Sequence, residues 1–417
     1  MILRRTQALC PVCLSALPAA LRSEGNVVLL ERNCPEHGPF SERIWTGPPD
    51  LESWTRPRNA PGPAPFQTAS AKGCPRDCGR CPKHRQHACT VLLEITRRCN
   101  LNCPVCFAAS GRSAAPFTPL AEIKAQLDWI QTQTGPVVLQ ISGGEPTLHP
   151  ELADMVRHAR ALFPAVQLNT NGILLADDAD LARRLSRAGL SWVFLQFDGL
   201  RDSIYRALRG ADLLALKKRA LAACARAGLA VVLVPTVAAG VNDQDLGDIL
   251  DFALAQAPAV RGIHLQPITL SGRNPFTFKE RLSLPQILAA ISRQSKGRIQ
   301  PEHASPPGCE HERCSFHCRY LLDRDGQLHV LREPDCCCGF ADDPPDKPPE
   351  ALARDRQAGP ALFPAPCCPP PAREESAAQA VESVIRCWQG AQPEAAGEDA
   401  LSSFINQARA RTFSVTC

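Results

Sequence analysis

The sequence predicts an α/β protein: a partial, TIM-like (β/α)6 barrel with a small metal ribbon ahead of it and cysteine-rich segments on either side. Three observations carry that expectation. From residue 91 onward, apolar runs alternate with amphipathic helical stretches, the pattern of βα units around a parallel sheet. The chain of 417 residues is long enough for a large core. Its 21 cysteines fall in clumps, which a metal-binding protein needs and a disulfide scaffold does not.

Composition narrows the class. Hydrophobic residues at 44% and charged residues at 21% are ordinary for a globular chain. A net charge of +4 with only 5% aromatics gives no ground for nucleic-acid binding. The basic opening, residues 1–6, is not followed by an apolar stretch of signal length. The longest apolar run, 229–241, is interrupted by Pro235 and too short to span a bilayer. A cytoplasm, where thiols stay reduced, is the expected compartment, and peripheral contact with a membrane surface is left open.

Residues 1–56 carry Cys10-Pro-Val-Cys13 and then Cys34-Pro-Glu-His37. Two such knuckles read as one tetrahedral metal site of the zinc-ribbon or rubredoxin kind, with a strand at 27–31 between them. Cys10, Cys13 and Cys34 are ligands; His37, which precedes a glycine, is either the fourth ligand or a turn residue. Spacing does not separate mononuclear iron from zinc. Residues 57–89 begin as a proline-rich linker and end in Cys74, Cys78, Cys81 and Cys89. Four thiolates can close an auxiliary iron–sulfur cluster; a zinc knuckle is the plainer alternative.

The barrel is expected over 90–300. Strands are read at 91–95, 136–141, 165–170, 191–197, 229–235 and 262–267, and helices at 119–133, 149–162, 177–188, 211–227, 243–256 and 284–295. Polar or glycine-bearing clusters stand at successive strand ends, where barrels assemble their sites. After the first strand come Cys99, Cys103 and Cys106 in a C-x3-C-x2-C loop. Three thiolates hold three irons of a [4Fe–4S] cube and leave the fourth iron open to a ligand. After the second strand comes Gly143-Gly144-Glu145-Pro146. Its glycines let backbone approach a ligand, and its carboxylate can accept hydrogen bonds from an ammonium group. The third strand ends at Asn169, followed by Asn171-Gly172, which reads as turn chemistry. The fourth ends at Gln196 and Asp198, and Thr236 and Gln266 end the fifth and sixth. Cys224, in a helix among alanines, reads as a buried structural thiol.

Residues 301–340 hold Cys309, Cys314 and Cys318, a strand-like stretch at 320–331, and then three adjacent cysteines. Cys336 is the first of those three candidates to close a further auxiliary cluster. Residues 341–417 read as a proline-rich connector with helices at 374–387 and 400–412.

The C-x3-C-x2-C loop followed by Phe107, with Gly-Gly-Glu-Pro after the next strand, resembles the radical S-adenosylmethionine (SAM) superfamily. That resemblance implies a radical SAM barrel in which the open iron chelates the amino and carboxylate groups of SAM. An electron from the cluster then cleaves SAM to methionine and a 5′-deoxyadenosyl radical. It implies catalytic roles for Cys99, Cys103 and Cys106, and contact of Gly143, Gly144, Glu145 and Pro146 with the SAM amino end. It also implies contacts of Asn169, Gln196 and Asp198 with SAM or substrate, and a reductant such as ferredoxin or flavodoxin. The ribbon, the four cysteines before the barrel and the cysteine-rich region after it resemble the tetraether lipid synthase group and its methanopterin-methylating relatives. The resemblance covers most of the chain, is tightest over 10–200 and is weaker beyond 300, where the glycine landmarks of SPASM-type cluster domains are missing. Members of that group usually continue past the residue matching Cys417.

The first functional expectation is hydrogen abstraction from an unactivated C–H bond, as in a lipid. The second is modification or methylation of a pterin-like small molecule. The third is a multi-metal electron-transfer protein with no chemistry of its own. A long apolar tunnel at the site favours the first, a short polar cavity the second, and failure to cleave SAM the third.

Overall fold

A computed structural model describes residues 1–54, 71, 88–112, 115–178, 180–269, 271–276, 282–307, 313, 315–323, 326–331 and 411–417. The chain begins with four antiparallel strands in sequence order: β1 (Ile2–Leu9), β2 (Ala16–Glu24), β3 (Val27–Cys34) and β4 (Gly38–Thr46). Sequence reasoning expected only the strand at 27–31. Pro18 hides β2, because a proline cannot donate within a ladder. It points outward, however, while Leu17, Ala19 and Leu21 turn inward. Gly25, at φ +62°, and Asn26 make the two-residue turn from β2 to β3. Leu21, Val28 and Trp45 then join Leu51 and Trp54 in the main core, so the ribbon is packed against the barrel.

The barrel strands are β5 (Thr90–Glu94), β6 (Val138–Ser142), β7 (Ala165–Thr170), β8 (Trp192–Gln196), β9 (Ala230–Val234) with its continuation β10 (Thr236–Val237), and β11 (Val260–His264) with its continuation β12 (Gln266–Pro267). The strands from β5 to β11 are parallel and adjacent in chain order, apart from β10, which pairs with β12 beyond the main sheet. The connections hold α1 (Leu120–Thr134), α2 (Leu152–Leu162), α3 (Ile173–Asp177), α4 (Leu181–Arg187), α5 (Asp202–Arg209), α6 (Leu214–Arg226) and α7 (Leu246–Ala255), and α8 (Leu284–Gln294) follows β12. One face of β6, β7, β8, β9 and β11 is fully buried, as at Leu139, Leu168, Leu195, Leu233 and Ile263, whereas β5 has no fully buried residue.

Two helices were not expected. α3 is too short to show a period, and α5, Asp-Ser-Ile-Tyr-Arg-Ala-Leu-Arg, reads as polar although Ile204, Tyr205, Leu208 and Arg209 all turn inward.

The sheet also extends beyond six strands. β13 (His317–Leu322) and β14 (Leu328–Val330) form a hairpin where one strand-like stretch was expected, and β15 (Thr412–Thr416) lies parallel beside β11 with β13 antiparallel on its far side. The order is β14-β13-β15-β11-β9-β8-β7-β6-β5. The helix expected to run to residue 412 thus gives way to a strand at its end. Thr-Phe-Ser-Val-Thr alternates, with Phe413 and Val415 buried, and its β-branched residues suit a pleated surface. No described helix is long and apolar enough to cross a membrane.

Candidate functional site

The cysteine loop leaves β5 and is held from two sides. On one side it lies against the Gly-Gly turn after β6. Gly144 N donates to Thr96 O at 2.7 Å and Glu145 N to Arg98 O at 2.8 Å. Gly143, at φ +134°, would place a Cβ 2.3 Å from Thr96 O, and Gly144 would place one 2.3 Å from Arg98 O. Two backbones touch here, and only glycine permits it. On the other side, Cys106 and Arg273 exchange backbone hydrogen bonds of 2.8 Å each way. The Arg273 guanidinium donates to Cys103 O at 2.6 Å and to Ser110 O at 2.7 Å. The loop closes through Cys99 N donating to Gly111 O at 2.9 Å.

Cys99, Cys103 and Cys106 are all half-buried. Burial, reinforced by the charges of Glu145 and the other two cysteines, pushes the Cys99 thiol up to about 11. Burial also raises Cys103, against the opposing charge of Arg209. Thiols that resist ionisation become good ligands beside a strong positive charge such as a bound metal. Three free thiols on one backbone-braced loop are a donor set of the kind that holds three corners of an iron–sulfur cluster.

Glu145 is fully buried. Its Oε1 accepts from Thr147 N at 3.0 Å, Thr147 Oγ1 at 2.5 Å and Thr170 Oγ1 at 2.7 Å, and its Oε2 from Asn171 N at 2.8 Å. The carboxylate, expected to accept from an ammonium group, instead ties the short helical turn Pro146–Leu148 to the end of β7. Of the two asparagines, Asn171 is the one beside the cysteine loop. Its Nδ2 donates to Asn100 Oδ1 at 2.8 Å and lies 3.9 Å from Cys99 Sγ.

Asp198 is likewise satisfied by protein. Arg209 grips it with Nη2 on Oδ1 at 2.7 Å and Nε on Oδ2 at 2.8 Å, both residues being buried. Thr236 N donates to Oδ1 at 3.0 Å, and Gln196 Nε2 donates to Oδ2. Arg209 reaches on to Val105 O at 3.1 Å and Thr236 Oγ1 at 2.6 Å, joining two strand ends to the cysteine loop. A carboxylate so engaged positions its neighbours rather than meeting a ligand. Gln196 Oε1 accepts from Lys217 Nζ at 3.0 Å, and the same ammonium donates to Asn171 O. Burial holds Lys217 down to about 8, against the pull of Asp198.

Asn171, Arg209, Lys217 and Arg273 escaped sequence reasoning. One signal was available: Lys217 falls in the apolar stripe of α6 with Leu213, Ala220, Leu221 and Cys224, where a solvated lysine does not belong.

Farther down the open face of the sheet, side chains on neighbouring strands are linked. Trp192 Nε1 donates to Gln167 Oε1 at 2.9 Å, Gln167 Nε2 to Asn169 Oδ1 at 2.5 Å, and Asn169 Nδ2 to Gln140 Oε1 at 3.3 Å. His264 Nδ1 lies 2.8 Å from Thr416 Oγ1, and its ring is 5.6 Å from that of Phe194. Burial holds His264 down to about 4, so it is neutral at pH 7.

The ribbon gathers a second donor set. Cys10, Cys13, Cys34 and His37 place their ligand atoms within 4.8 Å of one another, the only such cluster of His, Cys or carboxylate groups among the described residues. Cys13 and Cys34 Sγ are 3.9 Å apart, and His37 Nδ1 is 3.4 Å from Cys34 Sγ and 3.8 Å from Cys10 Sγ. A tetrahedron with metal–sulfur bonds of about 2.3 Å has sulfur–sulfur edges of about 3.8 Å, so the set fits one zinc ion. Hydrogen bonding with Ser15 holds the Cys13 thiol down to about 6, while burial raises Cys34.

The auxiliary sites lie largely elsewhere. Cys74, Cys78, Cys81, Cys309, Cys314 and Cys336 are outside the described residues. Cys89 is half-buried just ahead of β5. Cys318, expected as a ligand, is fully buried on β13 within the main core, and burial pushes its thiol up to about 12. Cys224 is a core thiol, as expected.

Residues 93–253 match the Radical SAM superfamily, and residues 2–46 match the HMPTM N-terminal zinc ribbon domain. The 7,8-dihydro-6-hydroxymethylpterin dimethyltransferase of Methanocaldococcus jannaschii is 33% identical over 352 residues, which make up 78% of this chain and 69% of that protein. The Fe-coproporphyrin III synthase of Methanosarcina barkeri is 32% identical over 225 residues, 52% of this chain and 54% of that protein. Among solved structures, SuiB of Streptococcus suis bound to S-adenosylmethionine aligns over 51% of this chain and 47% of its own, at 15% identity and a TM-score of 0.41.

Proposed function

The chain belongs to the radical SAM superfamily, in its methanopterin-methylase-like group, and from that premise we propose that it modifies a pterin-like small molecule by radical chemistry, as a methyltransferase. The observation that carries this reading is the linked row Gln140, Asn169, Gln167 and Trp192, with Phe194 and a neutral His264 beside it. Amide groups can match the alternating donors and acceptors on the edge of a pterin, and aromatic rings can stack on its face. The row is linked within itself, but its amides can exchange those bonds for bonds to a polar heterocycle, whereas a saturated hydrocarbon chain offers them no donor or acceptor. The lipid reading, placed first on sequence grounds, therefore gives way to the pterin reading. The similarity to a protein named as a pterin dimethyltransferase points the same way.

Cys99, Cys103 and Cys106 would hold the [4Fe–4S] cluster, and the Gly143–Gly144 turn would bring backbone close to SAM beside it. When bound, the cluster and SAM supply a 5′-deoxyadenosyl radical that removes a hydrogen atom. The chain's own residues position and shelter. Asn171 sets the orientation of the loop at Cys99, while Arg209 and Arg273 fix it at Val105 and Cys103. Lys217 keeps a positive charge beneath the site.

The test is anaerobic reconstitution with iron and reductant, followed by a product search with methyl-labelled SAM and a 6-hydroxymethyl-pterin. Formation of 5′-deoxyadenosine that rises with added pterin, with label in the pterin product, supports the reading. Cleavage that ignores pterins but responds to a lipid extract would overturn it. The Cys103→Ala protein should give neither product.

A further inference from the structure

The inner face of the sheet carries a band of half-buried side chains from β6 to β15. Gln140, Asn169, Phe194, His264 and Thr416 belong to it, whereas Leu139, Leu168, Leu195, Ile263 and Val415, next to them in the chain and on the other face, are fully buried. Strand register brings the band together. Asn169 stands opposite Phe194, Phe194 opposite Val232 and Val232 opposite Gly262, and His264 follows two residues on, opposite Thr416. The rings of Phe194 and His264 meet across β9, tilted by 37°. The amide row occupies one end of this band, and β15 builds the other.

β15 is seated closely against β11, since a Cβ on Gly262 would come 2.5 Å from Ser414 O. Thr416 Oγ1 lies 2.8 Å from His264 Nδ1, and Leu265 N donates to Thr416 O at 2.7 Å. Pairing to β11 on one side and β13 on the other holds the hydroxyl in place. A neutral imidazole has one donor and one acceptor nitrogen. The bond at Nδ1 therefore fixes both the orientation of the ring and the nitrogen that carries its proton. Nε2, at the tip of the ring, then has one defined role.

We propose that His264 is a substrate contact, hydrogen-bonding a ring heteroatom of a flat heterocycle through Nε2, and that Thr416 is the positioning residue that sets it. The proposal rests on the pterin reading and deepens it. The heterocycle lies against the Phe194 ring, with the amides at one edge and His264 at another. Two features favour this over a histidine that only packs. A packing residue of β11 is sealed, as Ile263 is, and His264 is not. A strand position also asks only for the β-branched shape of Thr416, whereas its hydroxyl is spent on the imidazole.

The test uses the full-length reconstituted protein with dithionite, SAM and a 6-hydroxymethyl-pterin. Thr416→Val removes the hydroxyl and keeps the shape, Thr416→Ser keeps the hydroxyl, and His264→Phe keeps a ring without its nitrogens. Iron content and circular dichroism confirm loading and folding, and Thr416→Ala stands in where Thr416→Val fails either. Thr416→Val should raise the KM for pterin by about five- to tenfold, the worth of one hydrogen bond, with kcat within about twofold of the parent. Thr416→Ser should bring that KM back toward the parent value. His264→Phe should raise it at least as far as Thr416→Val. Adding Thr416→Val to His264→Phe should change it little further, because the hydroxyl acts through that ring. An unchanged KM in either single variant overturns the proposal, as does an additive loss in the double variant. A raised KM for SAM with that for pterin unchanged also overturns it and assigns the pair to SAM. Failure of the pterin reading shows separately, in the parent protein, as 5′-deoxyadenosine formation that no pterin alters, and it takes the proposal with it.

Discussion

Arg209 joins more of the site than any other single side chain. It is buried, its charge is matched by Asp198, and it bridges the ends of β8 and β9 to the cysteine loop. Replacing it with Met strands a buried carboxylate, so Arg209→Met should cost about 3–5 kcal/mol by chemical denaturation. The Asp198→Asn/Arg209→Met pair should cost less than Arg209→Met alone, because no charge is left unpaired.

His264 makes a second prediction at this scale. Burial lowers its value from 6.5 to about 4. Between those limits the unfolded chain binds a proton that the folded chain refuses, so stability rises with pH there. The contribution is fully present above about 6.5 and is lost as pH falls toward 4. A His264→Gln variant should show a shallower decline of melting temperature across that window.

The cysteine loop and the Gly-Gly-Glu-Pro turn could be placed at the ends of β5 and β6 from sequence because each is a local spacing that follows an apolar run. Asn171, Arg209 and Arg273 were not legible in this way, because their partners come from distant segments. Arg273, for example, has its partners at Cys103, Cys106 and Ser110.

At the scale of the element, the ribbon illustrates how a short strand set depends on its metal. Its own core beside the knuckles is only Cys10, Leu17 and Cys34, with Cys13 and Phe40 against them. Its other face leans on the barrel through Leu21, Val28 and Trp45. Cys34→Ser should therefore remove one equivalent of zinc per chain by elemental analysis and raise hydrogen exchange over residues 2–46. Exchange in β6 to β9 should stay near that of the parent.

The barrel strands were visible in sequence because their apolar runs, such as 230–234, stand out between amphipathic helical stretches. β1 and β4 were not. Neither has a run of buried residues, and charged residues such as Arg4, Arg5, Glu42 and Arg43 interrupt them.

At the scale of the whole molecule, the nine-stranded sheet is completed near one edge by a strand from far along the chain. β15 separates β11 from β13, and its residues pair with 262–264 on one side and 317–321 on the other. A chain cut before residue 412 would leave two unsatisfied strand edges facing each other across a gap. Such edges invite association, so the cut protein should aggregate or elute as oligomers in size-exclusion chromatography where the intact chain does not. None of this was evident in the sequence. Five residues of alternating pattern carry no sign of which edge they will join.

The position of β15 also bears on the order of events during synthesis. The cysteine loop and every strand from β5 to β11 leave the ribosome well before residues 412–416. The hairpin of β13 and β14 therefore gains its neighbour in the finished sheet only when residues 412–416 arrive. In that interval the thiols of the loop stand in a half-finished domain. Iron delivery that preceded the closing strand would load a floor still open at one side, whereas delivery after it would meet the finished cup.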